Sequence, residues 1–216
     1  MSHSPHYLDG SINDGHKLRI EFFKVEDRFA HRLSAVLVDE AGGETIVPLA
    51  ESVEGASDDP WPPSPPLQSL SMEELADGRT AALLVGMAGR SHWSASVEFE
   101  RTSIKPPSFA LMFQLACRYS TVPTSLGSTY RVASGIRLSE RKGFVGLQHI
   151  DAGIVAVFQG FSGPQWTRPV LNLDAGEFEM PAEKPAPLAT AQWRYCVFPR
   201  KVDPAELRKR GASAEY

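Results

Sequence analysis

The sequence predicts an all-β, mainly antiparallel protein: a single β-sandwich or closed barrel of about ten strands. Three observations carry this. Apolar and polar residues alternate with period two through several runs, most plainly in 91–101 and 109–119. Turn chemistry recurs between those runs every 10–15 residues or so. With 17 prolines and 17 glycines in 216 residues the chain is rich in turns, yet below the roughly 25–30% that marks disorder. A chain of this length removes roughly 70% of its unfolded surface from water and needs no staple.

The elements follow in order. Residues 1–15 are polar and read as a flexible tail. KLRIEFFKV places Leu18, Ile20 and Phe22 on one face. A short charged turn leads into RFAHRLSAVLVD, so the two runs read as a hairpin. ETIVPLA is a third strand, and Pro48, which donates no ladder hydrogen bond, assigns it to an edge. In 51–70 five prolines fall between positions 60 and 66, which predicts a stiff, extended surface loop. A Pro-x-x-Pro spacing there (Pro63 to Pro66) fits the grooves that bind proline-rich segments. SMEELADG reads as a short helix near 71–77, with Ser71 and Glu74 forming a capping box and Gly78 ending it.

RTAALLVGM is nearly all apolar, as a strand buried on both faces is. RSHWSASVEFE, FALMFQLACRY and STYRVASGIRL alternate. GFVGLQHI and GIVAVFQG flank a tight connection at Asp151–Gly153, GEFEM is a further short strand, and TAQWRYCVF is the last. Asp203, Pro204, Glu206 and Gly211 start and stop a C-terminal helix near 204–210. A first lobe of residues 16–50 is too short for its own core. One β-rich domain over 16–199 is therefore expected, followed by the helix and tail of 200–216.

The stretch GRSHWSASVEFER (89–101) raises the functional question. As a strand it sends Trp93, Ala95, Val97 and Phe99 one way, and His92, Ser94, Ser96 and Glu98 the other. Pairing with 109–119 matches the dry faces when Phe99 meets Leu111, Val97 meets Phe113 and Trp93 meets Cys117. That register sets His92 beside Arg118, with Thr129 or Arg131 on the next strand. His92, Ser94, Gln114, Arg118 and Arg131 form the candidate ligand site, suited to a small anion or polar ligand.

Other chemistry is not supported. No histidine pair has metal-ligand spacing, although His31, His92 and His149 all fall in strands. GFSGP lacks the last glycine of a nucleophile elbow and reads as a Gly-Pro turn. Cys117 and Cys196 form no C-x-x-C pair and read as buried thiols. The net charge of −4 excludes a strong field for nucleic acid or an anionic membrane. The basic residues from Arg194 to Arg210 read as a solvated face. No cofactor and no metal is expected. MSHSPHYLDGSINDGHK has no cationic start or apolar core and is not read as a signal peptide, so the expectation is a cytoplasmic protein.

The segments SHWSASVE, ACR and LGSTYR (126–131) together resemble a run in uncharacterised bacterial β-rich proteins. The resemblance implies a bacterial origin and no particular activity. Two functions remain open. One is a non-enzymatic binding or interaction domain with a protein partner or a second copy. The other is an enzyme, or a receptor for a small anion or polar ligand, using the face around His92 and Arg118.

Overall fold

The computed structural model describes residues 6–12, 15–102, 109–141, 143–160, 165–167, 169–175 and 188–212. Every strand pairing in it is antiparallel, and the strands form two sheets. The first sheet runs β1 (His6–Ser11), β2 (Lys17–Val25), β3 (Arg28–Val38), β4 (Glu44–Ser52), β9 (Gly127–Val132), β14 (Val170–Asp174), β13 (Gln165–Thr167). The second runs β10 (Arg137–Arg141), β11 (Phe144–His149), β12 (Ile154–Gly160), β15 (Ala189–Lys201), β8 (Phe109–Tyr119), β7 (Ser91–Arg101), β6 (Thr80–Ala88), β5 (Leu67–Glu74). One helix, α1 (Pro204–Ala212), ends the described chain, and Asp203 accepts a hydrogen bond from Ala205 N at 2.8 Å at its start.

Both sheets contribute to a common core. Leu18, Ile20, Leu33 and Tyr130 from the first lie with Trp93, Phe113, Trp193 and Phe158 from the second. Among the described residues neither sheet closes on itself, so the arrangement is sandwich-like, with fifteen described strands where about ten are expected. The β7–β8 register is the expected one: Trp93 opposite Cys117, Val97 opposite Phe113, Phe99 opposite Leu111.

Several expectations need correction. The segment expected as a flexible tail contains strand β1, whose Leu8 is buried and whose Gly10 lies against the Phe99 ring. Residues 71–77 are not a helix. Ser71 pairs with Leu83 and Glu74 with Thr80 in the β5–β6 ladder, and Leu70 and Met72 pack on the core. A capping box is a local signal, and burial of alternate side chains against a neighbouring strand outweighs it. Strand β4 is not simply an edge: Ala50 and Glu51 pair with β9 as well as β3, and Ser52 with β9, while Pro48 lies in the half that has only β3 beside it. STYRVASGIRL is two strands in different sheets, β9 and β10. The thiols of Cys117 and Cys196 are free and buried, as expected, on opposite faces of adjoining strands, Cys117 among the core residues and Cys196 toward Gln159. The GEFEM segment and most of GFSGP lie outside the described residues.

The proline-rich segment is a strap between the sheets, and it is partly buried. Pro62, Ser64, Pro65 and Pro66 are inside. Arg28, itself buried, donates to the carbonyls of Gly55 at 3.0 Å and Ala56 at 2.8 Å. Ser64 donates to Thr129 O and accepts from Thr129 N, both at 3.1 Å. Trp61 packs on Trp93 and Tyr119 of the second sheet, with ring centroids 6.4 Å apart in each pair. Its aromatic partners thus lie within this chain.

Where the strap joins β5, its backbone crosses Gly86 of β6. A Cβ on Gly86 would sit 1.8 Å from Pro66 O, a backbone atom with little freedom to withdraw. Gly86→Ala is therefore expected to cost about 1–3 kcal/mol, as overpacking does, read as a lower urea midpoint at unchanged slope. Wild-type stability in this variant would show that the strap does not press on β6.

Candidate functional site

The outward side chains of four neighbouring strands form a grid on the second sheet. Met87, His92, Arg118 and Thr190 make one row across β6, β7, β8 and β15. Val85, Ser94, Ala116 and Gln192 make the next, and Leu83, Ser96, Gln114 and Arg194 the third. Each row passes from an apolar residue on β6 to a polar or cationic residue on β15, and in the first and third rows β8 adds Arg118 and Gln114. The middle row has only Ser94 and Ala116 at its centre, so the floor is low and the borders stand higher.

Two depressions result, of about 720 Å³ and about 580 Å³. Val85, Ser94 and Ala116 line both, which makes them one trough. Three strand gaps of about 4.8 Å make it roughly 14 Å wide. Its β6 wall departs from the sequence expectation. Leu83, Val85 and Met87 are 43%, 55% and 46% exposed, although an apolar strand of this kind reads as buried on both faces. In an antiparallel sheet only the core face must be dry, and here the apolar outer row is bare. Ordered rows of exposed apolar side chains, unlike scattered ones, mark interaction surfaces.

The opposite wall carries charge. Arg118 and Arg194 are exposed and, among the described residues, neither has an ion-pair partner. The nearest acid on this face, Glu98, lies one row beyond and is held by Arg79 at 2.8 Å. Among the described residues no carboxylate lines either depression.

Four of the five expected site residues thus come together: His92 faces Arg118 directly, and Ser94 and Gln114 stand in the adjoining rows. Arg131 does not join them. It sits on β9 of the other sheet, between Glu51 and Val170, and lines a separate depression of about 630 Å³ with Ile136 and Pro169. The chain leaves the second sheet after Tyr119, so β15 flanks β8 and supplies Gln192 and Arg194 instead. Those residues alternate with Trp193 in the sequence, but nothing local reveals that β15 returns beside β8.

A second polar group lies between the sheets. His31 Nε2 meets the Tyr130 hydroxyl at 2.7 Å, and that hydroxyl meets Tyr195 OH at 2.6 Å, linking the two sheets. Ser52 Oγ accepts from His31 N at 2.9 Å and donates to Glu54 at 2.7 Å. Burial pushes the His31 imidazole down to about 3 and both tyrosine hydroxyls upward. Burial also raises Glu54 to about 7, against the Ser52 hydrogen bond and the Arg28 charge that favour its anion. His31, Tyr130 and Tyr195, all buried, form a polar clamp between the sheets. His31, His92 and His149 stay apart, and among the described residues no cluster of three His, Cys, Asp or Glu could hold a metal ion.

Fold and site together define an all-β two-sheet protein with an open, amphipathic sheet face. Comparison with known proteins finds no matching family model, curated protein or solved structure.

The buried pair has opposite pH signatures. His31 is neutral in the fold but takes a proton in the unfolded chain below its ordinary 6.5, so its contribution to stability is lost as pH falls from 6.5 toward 3. Glu54 keeps its proton in the fold up to about 7 but loses it unfolded above 4.5, so stability is lost as pH rises from 4.5 to 7. Between 4.5 and 6.5 the two slopes oppose, each about 1.4 kcal/mol per pH unit. Glu54→Gln should unmask the histidine, so that its stability relative to wild type climbs with pH across that window. Parallel pH profiles for the two proteins in denaturant titrations would show an ordinary Glu54.

Proposed function

We propose that this protein is a non-enzymatic binding domain that holds its partner on the outer face of the eight-stranded sheet. The observation that carries this reading is the bare row of Leu83, Val85 and Met87 opposite Arg118 and Arg194, which have no ion-pair partner among the described residues, with Ser94 and Ala116 low between them. An apolar border supplies non-directional attraction. Exposed cations opposite it supply steering and orientation. The trough volume lies in the range of ordinary ligand sites, but the trough is open along its length, which suits association more than chemistry that must exclude water.

The second reading, a small-anion receptor or enzyme at one end of the same trough, draws on the cross-strand pairing of His92 with Arg118. Two cationic or donor side chains side by side favour a negative group. Reaction chemistry would further need a nucleophile and a base within reach, and the described trough lining offers the Ser69, Ser94, Ser96 and Thr190 hydroxyls alongside His92.

The dye 1-anilinonaphthalene-8-sulfonate, apolar rings with one anionic group, is a fitting first probe. Its fluorescence should rise saturably with the folded protein. Val85→Glu should weaken binding at least tenfold while Arg131→Glu, in the other sheet, leaves it unchanged. Dye binding unaffected by Val85→Glu in a protein with unaltered circular dichroism would remove the trough as the binding surface.

A further inference from the structure

The dimensions of the trough narrow the class of partner, given that the trough is the binding surface. We infer that its occupant is an amphipathic α-helix with an acidic flank, contributed by a protein partner and lying along the strands with its apolar stripe on β6.

Width excludes thinner occupants. The trough is roughly 14 Å across, and a helix with its side chains is about 10–12 Å in diameter. A single alkyl chain or extended peptide leaves most of that width unfilled, and small ligands bind where most of their surface is enclosed. Strand addition uses a sheet edge, whereas the apolar row lies on β6, which is paired with β5 on one side and β7 on the other.

Spacing agrees with the helix. Successive outward residues on β6 are two positions apart, about 6.8 Å. Successive apolar residues on one helix face are three or four apart, about 4.5–6 Å of rise. Leu83, Val85 and Met87 therefore meet about three helical turns without a long mismatch. The low centre formed by Ser94 and Ala116 admits the bulk of the helix, while Met87 and Leu83 on β6 and Thr190, Gln192 and Arg194 on β15 form its rails.

Charge sets the polarity of the partner. Arg118 and Arg194 stand in the first and third rows, four residues apart along the strands, or about 13 Å. Acidic residues eight apart on a helix are about 12 Å apart. His92 adds a third donor beside Arg118 in the first row, and among the described residues no carboxylate lines the trough. A basic or neutral helix would leave both guanidinium groups unpaired at the contact.

A designed pair of peptides tests this with the whole protein. Each has fifteen residues, capped termini, leucines at every third or fourth position and alanine elsewhere. One carries glutamates on a single flank, the other lysines at the same positions. Fluorescence anisotropy should show the acidic peptide binding at least tenfold more tightly than the basic one. Val85→Glu should weaken it at least tenfold, and the double change Arg118→Glu, Arg194→Glu should reverse the preference. Equal binding of both peptides would overturn the acidic-helix assignment. So would no peptide binding while the anilinonaphthalene dye or dodecanoate still saturates in a Val85-dependent way, a result that leaves the trough itself standing. If neither dye nor peptide responds to Val85→Glu, the trough and the helix fall together.

Discussion

The pairing of β7 with β8 is the constraint on which the rest depends. Because side chains alternate, one register decides both faces at once. With Trp93 opposite Cys117, the inner face becomes an unbroken apolar surface through Ala95, Val97, Phe99, Leu111, Phe113 and Leu115. The same choice sends His92, Ser94, Ser96, Gln114 and Arg118 outward together. Slippage by one residue would expose Trp93 and Phe113, each such side chain worth about 1.5–3 kcal/mol of burial. Core and trough are thus two results of one alignment, and the trough needs no stabilising contacts of its own.

The sheets are then fastened by means other than apolar packing alone. The His31–Tyr130–Tyr195 chain crosses the interior, and each buried hydroxyl has a partner. An unpaired member would cost about 1–3 kcal/mol, which makes this contact selective for one relative position of the sheets. The proline-rich strap acts at one side of the same interior. Its prolines lose little entropy on ordering, Arg28 holds its near end, and Trp61 anchors it beside Trp93. It then runs past Gly86 into β5, close to the β6 wall of the trough. Strap and binding face are joined by backbone.

The legible parts of this structure are those where a signal is both local and two-sided. Wet and dry rows in 91–101 and 109–119 fix their own register, so the His92–Arg118 neighbourhood was accessible from the sequence. Strand β6 was not, since its residues are apolar at both parities and alternation cannot tell a bare face from a covered one. Residues 71–74 carry genuine helix-start chemistry, overridden by pairing with residues 80–83. Arg131 follows Tyr119 closely in the chain, yet the chain changes sheet between them, and no local pattern marks that crossing. The Tyr130–Tyr195 contact joins positions 65 apart and looks in the sequence like two ordinary core tyrosines.

The outer face therefore follows from the inner one: burying Trp93 and Phe113 compels the grid that carries the apolar-to-cationic gradient. Nuclear Overhauser contacts across β7 and β8 test that link most directly. The account predicts backbone contacts of His92 with Arg118, Ser94 with Ala116 and Ser96 with Gln114. Contacts of His92 with Cys117 and Ser94 with Leu115, the register displaced by one, would contradict it and dissolve both the core and the trough described above.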